Sequence, residues 1–367
     1  MTNPDDFDRL ARAASRARSD LSAATSLRPV PELRRDPRPR PARQIGGWYR
    51  LLNSPATAAL VVAVFVLGIL VGTTLVNDRG RHGVGVGSVS AGDKPVAVST
   101  DGRTVWVADE GSGRLLAFDA TTLELRWQVA VGPRPVALAY GFDAVWVVDS
   151  GDRSLRKIDP TDGHQLGRTN TSLGPIDVAV LDRVWVLAAG NSTVDGYDPQ
   201  LLSQDRNSHF TGQCTSLSAG AGAIWVAAAG SVRRVPLTGG ESTDFEVGAE
   251  SGLIAVSSDL VWVGSTNLVV AVGRTPGDAD LRVLDPATGR VLARSALPGH
   301  ATAMAAGDRG VAVATPDGSV SWFAAPGAPP VTVGRIGTSL ASLALAGDHL
   351  FGVSPDTGLL YRMKITP

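Results

Sequence analysis

Cysteine is nearly absent: Cys214 is the only one in 367 residues. A single thiol excludes an intramolecular disulfide, a Cys-x-x-Cys redox pair and a Cys/His zinc cluster. Lysine is also scarce, three residues against 31 arginines. That bias points to a GC-rich coding sequence and says nothing about fold. Residues 1–50 hold eleven Arg and six Asp or Glu, a net +5, so the whole-chain charge of −1 leaves −6 for residues 78–367. No basic block occurs in that larger part, which argues against nucleic-acid binding. There is no Gly-rich phosphate cradle and no nucleophile elbow. Finally, no charged residue of any kind lies between Leu51 and Asn77.

That last gap contains "PATAALVVAVFVLGILVGTTLV", residues 55–76. Its length matches the roughly 20 apolar residues that cross a bilayer core. Trp48 and Tyr49 stand at the near edge, where amphipathic rings favour the interface. A buried core helix or a cleaved signal peptide are the alternatives. The fifty-residue flank is too long for the latter, and no clear A-x-A site follows. The arginine excess precedes the segment, so the positive-inside rule puts the N-terminus in the cytoplasm and the large part outside. The expectation is a single-pass protein of the cell membrane. The tail, 1–50, divides into a weak alanine-rich helical pattern over 5–24 and a Pro/Arg-rich linker over 28–43. It reads either as a disordered tail that fixes topology or as a docking helix for a cytosolic partner or anionic lipid.

Repeats dominate the remainder. Val105-Trp106-Val107, Val145-Trp146-Val147, Val184-Trp185-Val186, Ile224-Trp225-Val226 and Val261-Trp262-Val263 are followed by the weaker Val311-Ala312-Val313 and Leu350-Phe351-Gly352. The spacings are 40, 39, 40, 37, 50 and 39 residues. Each anchor sits between two other short apolar runs, and a fourth run follows, as in "LRWQVAVG". Four short strands every ~40 residues predict β-propeller blades. The fold class expected for 83–367 is therefore all-β, a seven-bladed β-propeller. The seventh copy has only three strands, and "GVGVGSVSAGDKP", 83–95, matches the missing outer one. Residues 83–91 are expected to close the ring. Such a strand would enter the propeller at its bottom face, close to the 55–76 segment, leaving the top face pointing outward.

The pattern P-x-x-A…V-W-V-x-D…L-x-x-[FI]-D-P-x-T resembles bacterial propellers of the YVTN, NHL and virginiamycin B lyase-like type. The resemblance covers roughly 83–367. It implies the fold, and for the lyase members a magnesium-dependent reaction using paired histidines and a glutamate at the channel. Here only His300 occupies the matching position ahead of an innermost strand. The other copies place Lys94, Arg134, Gly174, Gln213, Ser251 and Ser339 there, with Glu250 one residue earlier. These positions predict a ring on the top face. A ten-residue insertion within 265–280, between the second and third strands of blade five, brings Arg274 and Asp278 to the same face. The candidate ligand- or partner-binding residues are thus Lys94, Arg134, Gln213, Glu250, His300, Arg274 and Asp278. Asp109, Glu110, Asp149 and Asp152 occupy top loops and read either as hard-cation ligands or as turn chemistry. No catalytic residue, metal site or cofactor is assigned. The expected function is noncatalytic recognition or scaffolding of a protein or cell-envelope ligand, with a lyase or hydrolase at the channel mouth as the alternative.

Overall fold

The computed structural model describes residues 86–365, apart from 211, 229, 238–239, 248–250 and 267–278. They belong to one compact unit, Val76–Pro367. Among them no helix is long and apolar enough to cross a membrane. The tail and the 55–76 segment lie outside the described residues.

The described residues form seven four-stranded antiparallel sheets. From the channel outward, strands a to d of blade one are Pro95–Thr100, Thr104–Asp109, Arg114–Asp119 and Leu125–Ala130. Blade two is Pro135–Gly141, Ala144–Asp149, Ser154–Ile158 and Gln165–Asn170, and blade three Pro175–Val180, Val184–Ala188, Thr193–Tyr197 and Gln204–His209. Blade four is Cys214–Gly220, Ala223–Ala228, Ser231–Pro236 and Thr243–Glu246. Blade five is Ser251–Val256, Val261–Ser265, Asp280–Leu284 and Val291–Ala296. Blade six is Ala303–Gly307, Gly310–Ala314, Ser319–Phe323 and Val331–Arg335. Blade seven takes Ser342–Ala346, His349–Ser354 and Leu359–Lys364 from the end of the chain, and its outer strand, Gly87–Ser90, from the beginning.

That closure has the expected form. Gly87 pairs with Arg362 and Ser90 with Leu359, and Ala91 N–H donates to the Gly358 carbonyl at 2.8 Å. The pairing covers the edge that a three-stranded last blade would leave open. Residues 83–85, also expected in this strand, lie outside the described residues.

Burial explains why the chain repeats. Strand b is buried on both faces; Thr104–Asp109 and Ala144–Asp149 have no exposed position. Strand d alternates between exposed and half-buried residues. The core therefore lies between blades. One cluster joins Trp106 and Leu115 of blade one to Val145 and Ile158 of blade two. Another joins Phe351 and Leu360 of blade seven to Val105 and Phe118 of blade one. Each anchor tryptophan hides 150–250 Å², which stabilises the fold by about 4–6 kcal/mol at ~25 cal/mol/Å². A blade alone has nothing to bury it against.

Two substitutions in the repeat are compensated in space. Blade six has Ala312 where five blades have tryptophan, but its cross-strand partner is Trp322. In blade one the same pair is Trp106 and Ala117; in blade three it is Trp185 and Gly196. Directly paired residues share a sheet face, so the indole has moved one strand outward. A second exchange links neighbouring blades. The turn after strand c needs a left-handed residue, supplied by Leu123, Gly163, Leu202 and Gly289. At Gly163 and Gly289 the preceding strand d offers an aromatic, Trp127 lying against Gly163 and Phe245 against Gly289, whereas Gly327 of blade six faces Ala293. Where it is leucine, strand d offers glycine: Leu123 meets Gly87 and Leu202 meets Gly167. A leucine in this conformation is strained, and filling the gap opposite a glycine offsets that cost.

Candidate functional site

The top face is built on a fixed piece of backbone. Asp109, the last residue of strand b in blade one, is 1% exposed. Its carboxylate accepts the N–H groups of Asp93 (3.1 Å) and Lys94 (2.6 Å) from the loop entering strand a. Burial works against its charged form, but the Ser112 hydroxyl and the N–H groups of Lys94, Asp93 and Gly111 outweigh it and lower the pKa. Asp149 does the same in blade two, accepting Arg134 N–H at 3.1 Å and Gly151 N–H at 2.8 Å. Asp152 is held by Ser154, Arg156 and Arg168. Asp109 and Asp149 thus act as turn caps, while Asp152 is tied by arginine ion pairs. Among the described residues no group of three or more His, Cys, Asp or Glu is arranged to hold a metal.

Fixing the loops brings two predicted residues together. Glu110 receives Lys94 Nζ at 2.7 Å and Arg134 Nε at 2.8 Å, each from a different blade. The Lys94 hydrogen bond lowers the Glu110 pKa, partly opposed by burial and helped by Arg134. The cations remain 54% and 63% exposed, while Glu110 is only 15% exposed. Two positive groups thus share one carboxylate and stay accessible.

Gln213 is exposed ahead of blade four, and His300 is half-buried ahead of blade six. Both are away from the Lys94–Arg134 pair. His300 Nδ1 is buried without a hydrogen-bond partner. The pairing register corrects one alignment. Ser251 pairs with Ser265 as Pro95 pairs with Asp109, so Ser251 begins its strand and Glu250 holds the position ahead of it. Glu250, Arg274 and Asp278 lie outside the described residues. The strands flanking the insertion, Val261–Ser265 and Asp280–Leu284, are paired as expected for a top-face loop.

The channel holds a residue that the repeat alignment overlooked. All seven inner strands line a cavity of about 350 Å³, and its walls include Val96, Val136, Ile176, Leu253 and Leu343. Asp177, on strand a of blade three, is its one charged lining residue among those described. Asp177 Oδ2 accepts Leu217 N–H of blade four at 2.7 Å, and Oδ1 accepts Val178 N–H at 2.9 Å. Burial pushes its carboxyl up to about 6, although the Leu217 and Val178 N–H groups and the Ser216 hydroxyl favour the charged form. The signal was present in the repeats: "PIDVAV" places an acid where "PVAVST" and "PVALAY" have alanine.

No protein-family model matches the sequence, and no curated protein does. Solved structures do. The chain is similar to U3-55K, with a TM-score of 0.67 and 10% identity over 78% of this chain and 100% of that one. It is similar to the hydrazine synthase of Kuenenia stuttgartiensis, with a TM-score of 0.60 and 14% identity over 74% and 96%. It is also similar to BamB from Moraxella catarrhalis, with a TM-score of 0.52 and 19% identity over 76% and 88%. At such identities the likeness shows the propeller fold alone.

Proposed function

We propose that this protein is a membrane-anchored, extracytoplasmic propeller that recognises or scaffolds a protein or cell-envelope ligand through its top face, without catalysis. The observation carrying this reading is the rim pair Lys94 and Arg134. Both cations are pinned by Glu110 and by backbone caps at Asp109 and Asp149, yet remain more than half exposed. A preorganised cationic pair loses little freedom on meeting an anionic group. Anchoring rests on the uncharged 55–76 segment and the arginine excess before it. The tail, 1–50, then fixes topology and is available to a cytosolic partner. The lyase alternative gains no support from His300, whose buried Nδ1 lacks the partner that would orient a general acid or base.

Site-specific photo-crosslinking on intact cells tests the reading. A crosslinker at Lys94, Arg134 or Gln213 should give a discrete adduct that a crosslinker at the bottom-turn residues Asp162 or Gln200 does not. Adducts confined to the bottom positions refute the top-face assignment. Adducts to cytosolic proteins from any of the five positions refute the topology.

A further inference from the structure

The free edge of each inner strand presents unpaired N–H groups to the channel. Side chains of the preceding blade cap some of them, three at one shared register position and Ser218, on Val256 N–H, at another. Ser342 accepts Val98 N–H at 3.2 Å, Asp177 accepts Leu217 N–H at 2.7 Å, and Ser216 accepts Ile254 N–H at 3.4 Å. Two of the three caps are neutral hydroxyls. Serine therefore suffices for the bond, and alanine at Ala97, Ala137 and Ala303 shows that even the cap is dispensable. A carboxylate there costs desolvation that the bond does not require. Nor is that charge matched, because among the described residues no Lys, Arg or His lines the cavity.

The rest of the cavity has the make-up of a small-molecule site. Its lining side chains are mostly aliphatic, while the backbone of the inner strands and hydroxyls at Thr215, Ser218 and Thr302 make much of the surface they leave open polar, and its volume of about 350 Å³ is at the lower end of known ligand sites. Thr302 Oγ1 is buried without a partner. Ile176, beside Asp177, is 36% exposed, so solvent reaches this part of the wall. Each Asp177 oxygen keeps a lone pair beyond its bond to the backbone.

We propose that the channel is a binding site for a small organic cation, a primary ammonium with a short apolar body, whose charged head sits on Asp177 and whose body lies against the aliphatic wall. The site is distinct from the rim pair and does not depend on its having a partner. The raised carboxyl pKa is the counterpart of an unmatched charge, and a bound ammonium supplies the match. An inorganic cation would leave the aliphatic wall unused, and a neutral ligand would leave the charge unmatched.

The titratable groups on strands packed against the Asp177 strand are Tyr140 and Asp149 of blade two and Cys214 of blade four; the adjoining strand, Val184–Ala188, carries none. Asp149 ends its strand at the top loop, where its carboxylate accepts the Arg134 and Gly151 N–H groups, and burial raises the pKa of Tyr140 and of Cys214, the latter to about 11, so neither of those two changes charge near pH 6. The pH dependence of ammonium binding therefore reports on Asp177.

The test is calorimetric titration of the full-length protein in detergent with n-butylammonium, n-butanol and potassium ion, at pH 7.5 and pH 5. Butylammonium should bind at pH 7.5 and weaken about tenfold at pH 5, where a carboxyl of pKa about 6 is roughly one-tenth ionised. Asp177→Asn should weaken it at least tenfold at pH 7.5, with circular dichroism confirming the fold. Should that variant misfold, Val136→Trp, which fills the channel from blade two, must abolish binding instead. Equal binding by butanol, equal binding at both pH values, or a folded Asp177→Asn that binds normally overturns the proposal. So does potassium binding as tightly as butylammonium, which would make this an inorganic-cation site, or no butylammonium binding at 10 mM, on the order of ten-thousandfold above a micromolar Kd.

Discussion

Exchanging Ala312 and Trp322 tests whether the blades are held by a transferable unit of packing. Trp322 is 6% exposed and packs with Leu340, Leu343, Tyr361 and Met363 across the junction of blades six and seven. Trp322→Ala should leave a cavity costing about 3–5 kcal/mol. Ala312→Trp alone adds an indole beside an existing one and should cost about 1–3 kcal/mol through overpacking. If the two positions were independent, the double variant would lose about 4–8 kcal/mol. The double variant, however, recreates the Trp106–Ala117 pair of blade one. It should lose only about 1–2 kcal/mol, a favourable coupling of at least about 2 kcal/mol, well beyond ordinary non-additivity. Thermal unfolding by far-ultraviolet circular dichroism reads this out. At roughly 2–4 °C per kcal/mol for a large domain, Trp322→Ala should lower Tm by about 10 °C and the double variant by much less. A double variant as unstable as the two singles added together refutes the exchange.

Asp177 predicts an unusual pH dependence. Its carboxyl, at about 6, lies above the unfolded value, so its contribution to stability is fully present below pH 4 and is lost as pH rises through 6. The wild type should therefore gain on Asp177→Asn when acidified from pH 7.5 to 5, by at most about 1.4 kcal/mol, one unit below a folded pKa of about 6, and by less because the channel admits water; an unchanging difference between the two in urea titrations counts against burial of the charge. Asp149→Ala strips the partner from the N–H groups of Arg134 and Gly151 and should cost about 1–3 kcal/mol, with faster amide exchange confined to those loops; exchange spread through all blades would contradict a local cap. Deleting Gly87–Ser90 should uncover the strand Leu359–Lys364 and drive association seen by light scattering, whereas a monomer with unchanged Tm would show that the closing strand is dispensable. Protease added to intact cells should digest the propeller and spare residues 1–50; protection of the propeller would contradict the proposed topology.

The fold was legible because its signal is redundant. Five copies of a Val-Trp-Val type tripeptide at near-constant spacing mark a strand buried on both faces, and such a strand needs neighbours on each side. The closing strand was legible for a related reason: a last copy with three strands leaves an edge, and only residues 83–95 match what is missing. The exchanges were harder to see. Ala312 reads as a degraded copy until pairing shows Trp322 beside it. Leu123 and Leu202 read as ordinary turn residues until Gly87 and Gly167 are found opposite them. In each case the compensation lies on another strand, and a repeat alignment compares equivalent positions, not touching ones.

The same blindness explains the site. Aligning the residue ahead of each inner strand found Lys94 and Arg134, and the structure joins them, but through Glu110, which belongs to a different loop and had been weighed as a metal ligand. Asp177 lay three residues further along, after Gly174. There a single acid among alanines and serines looks like drift between copies. Its meaning depends on closure of the ring, since only seven inner strands together turn an edge position into the wall of an enclosed channel. Serine at Ser342 and Ser216 forms the same bond to the next blade at no cost in buried charge. An acid where a hydroxyl suffices is thus not accounted for by packing, and the channel it faces is where its charge can be met.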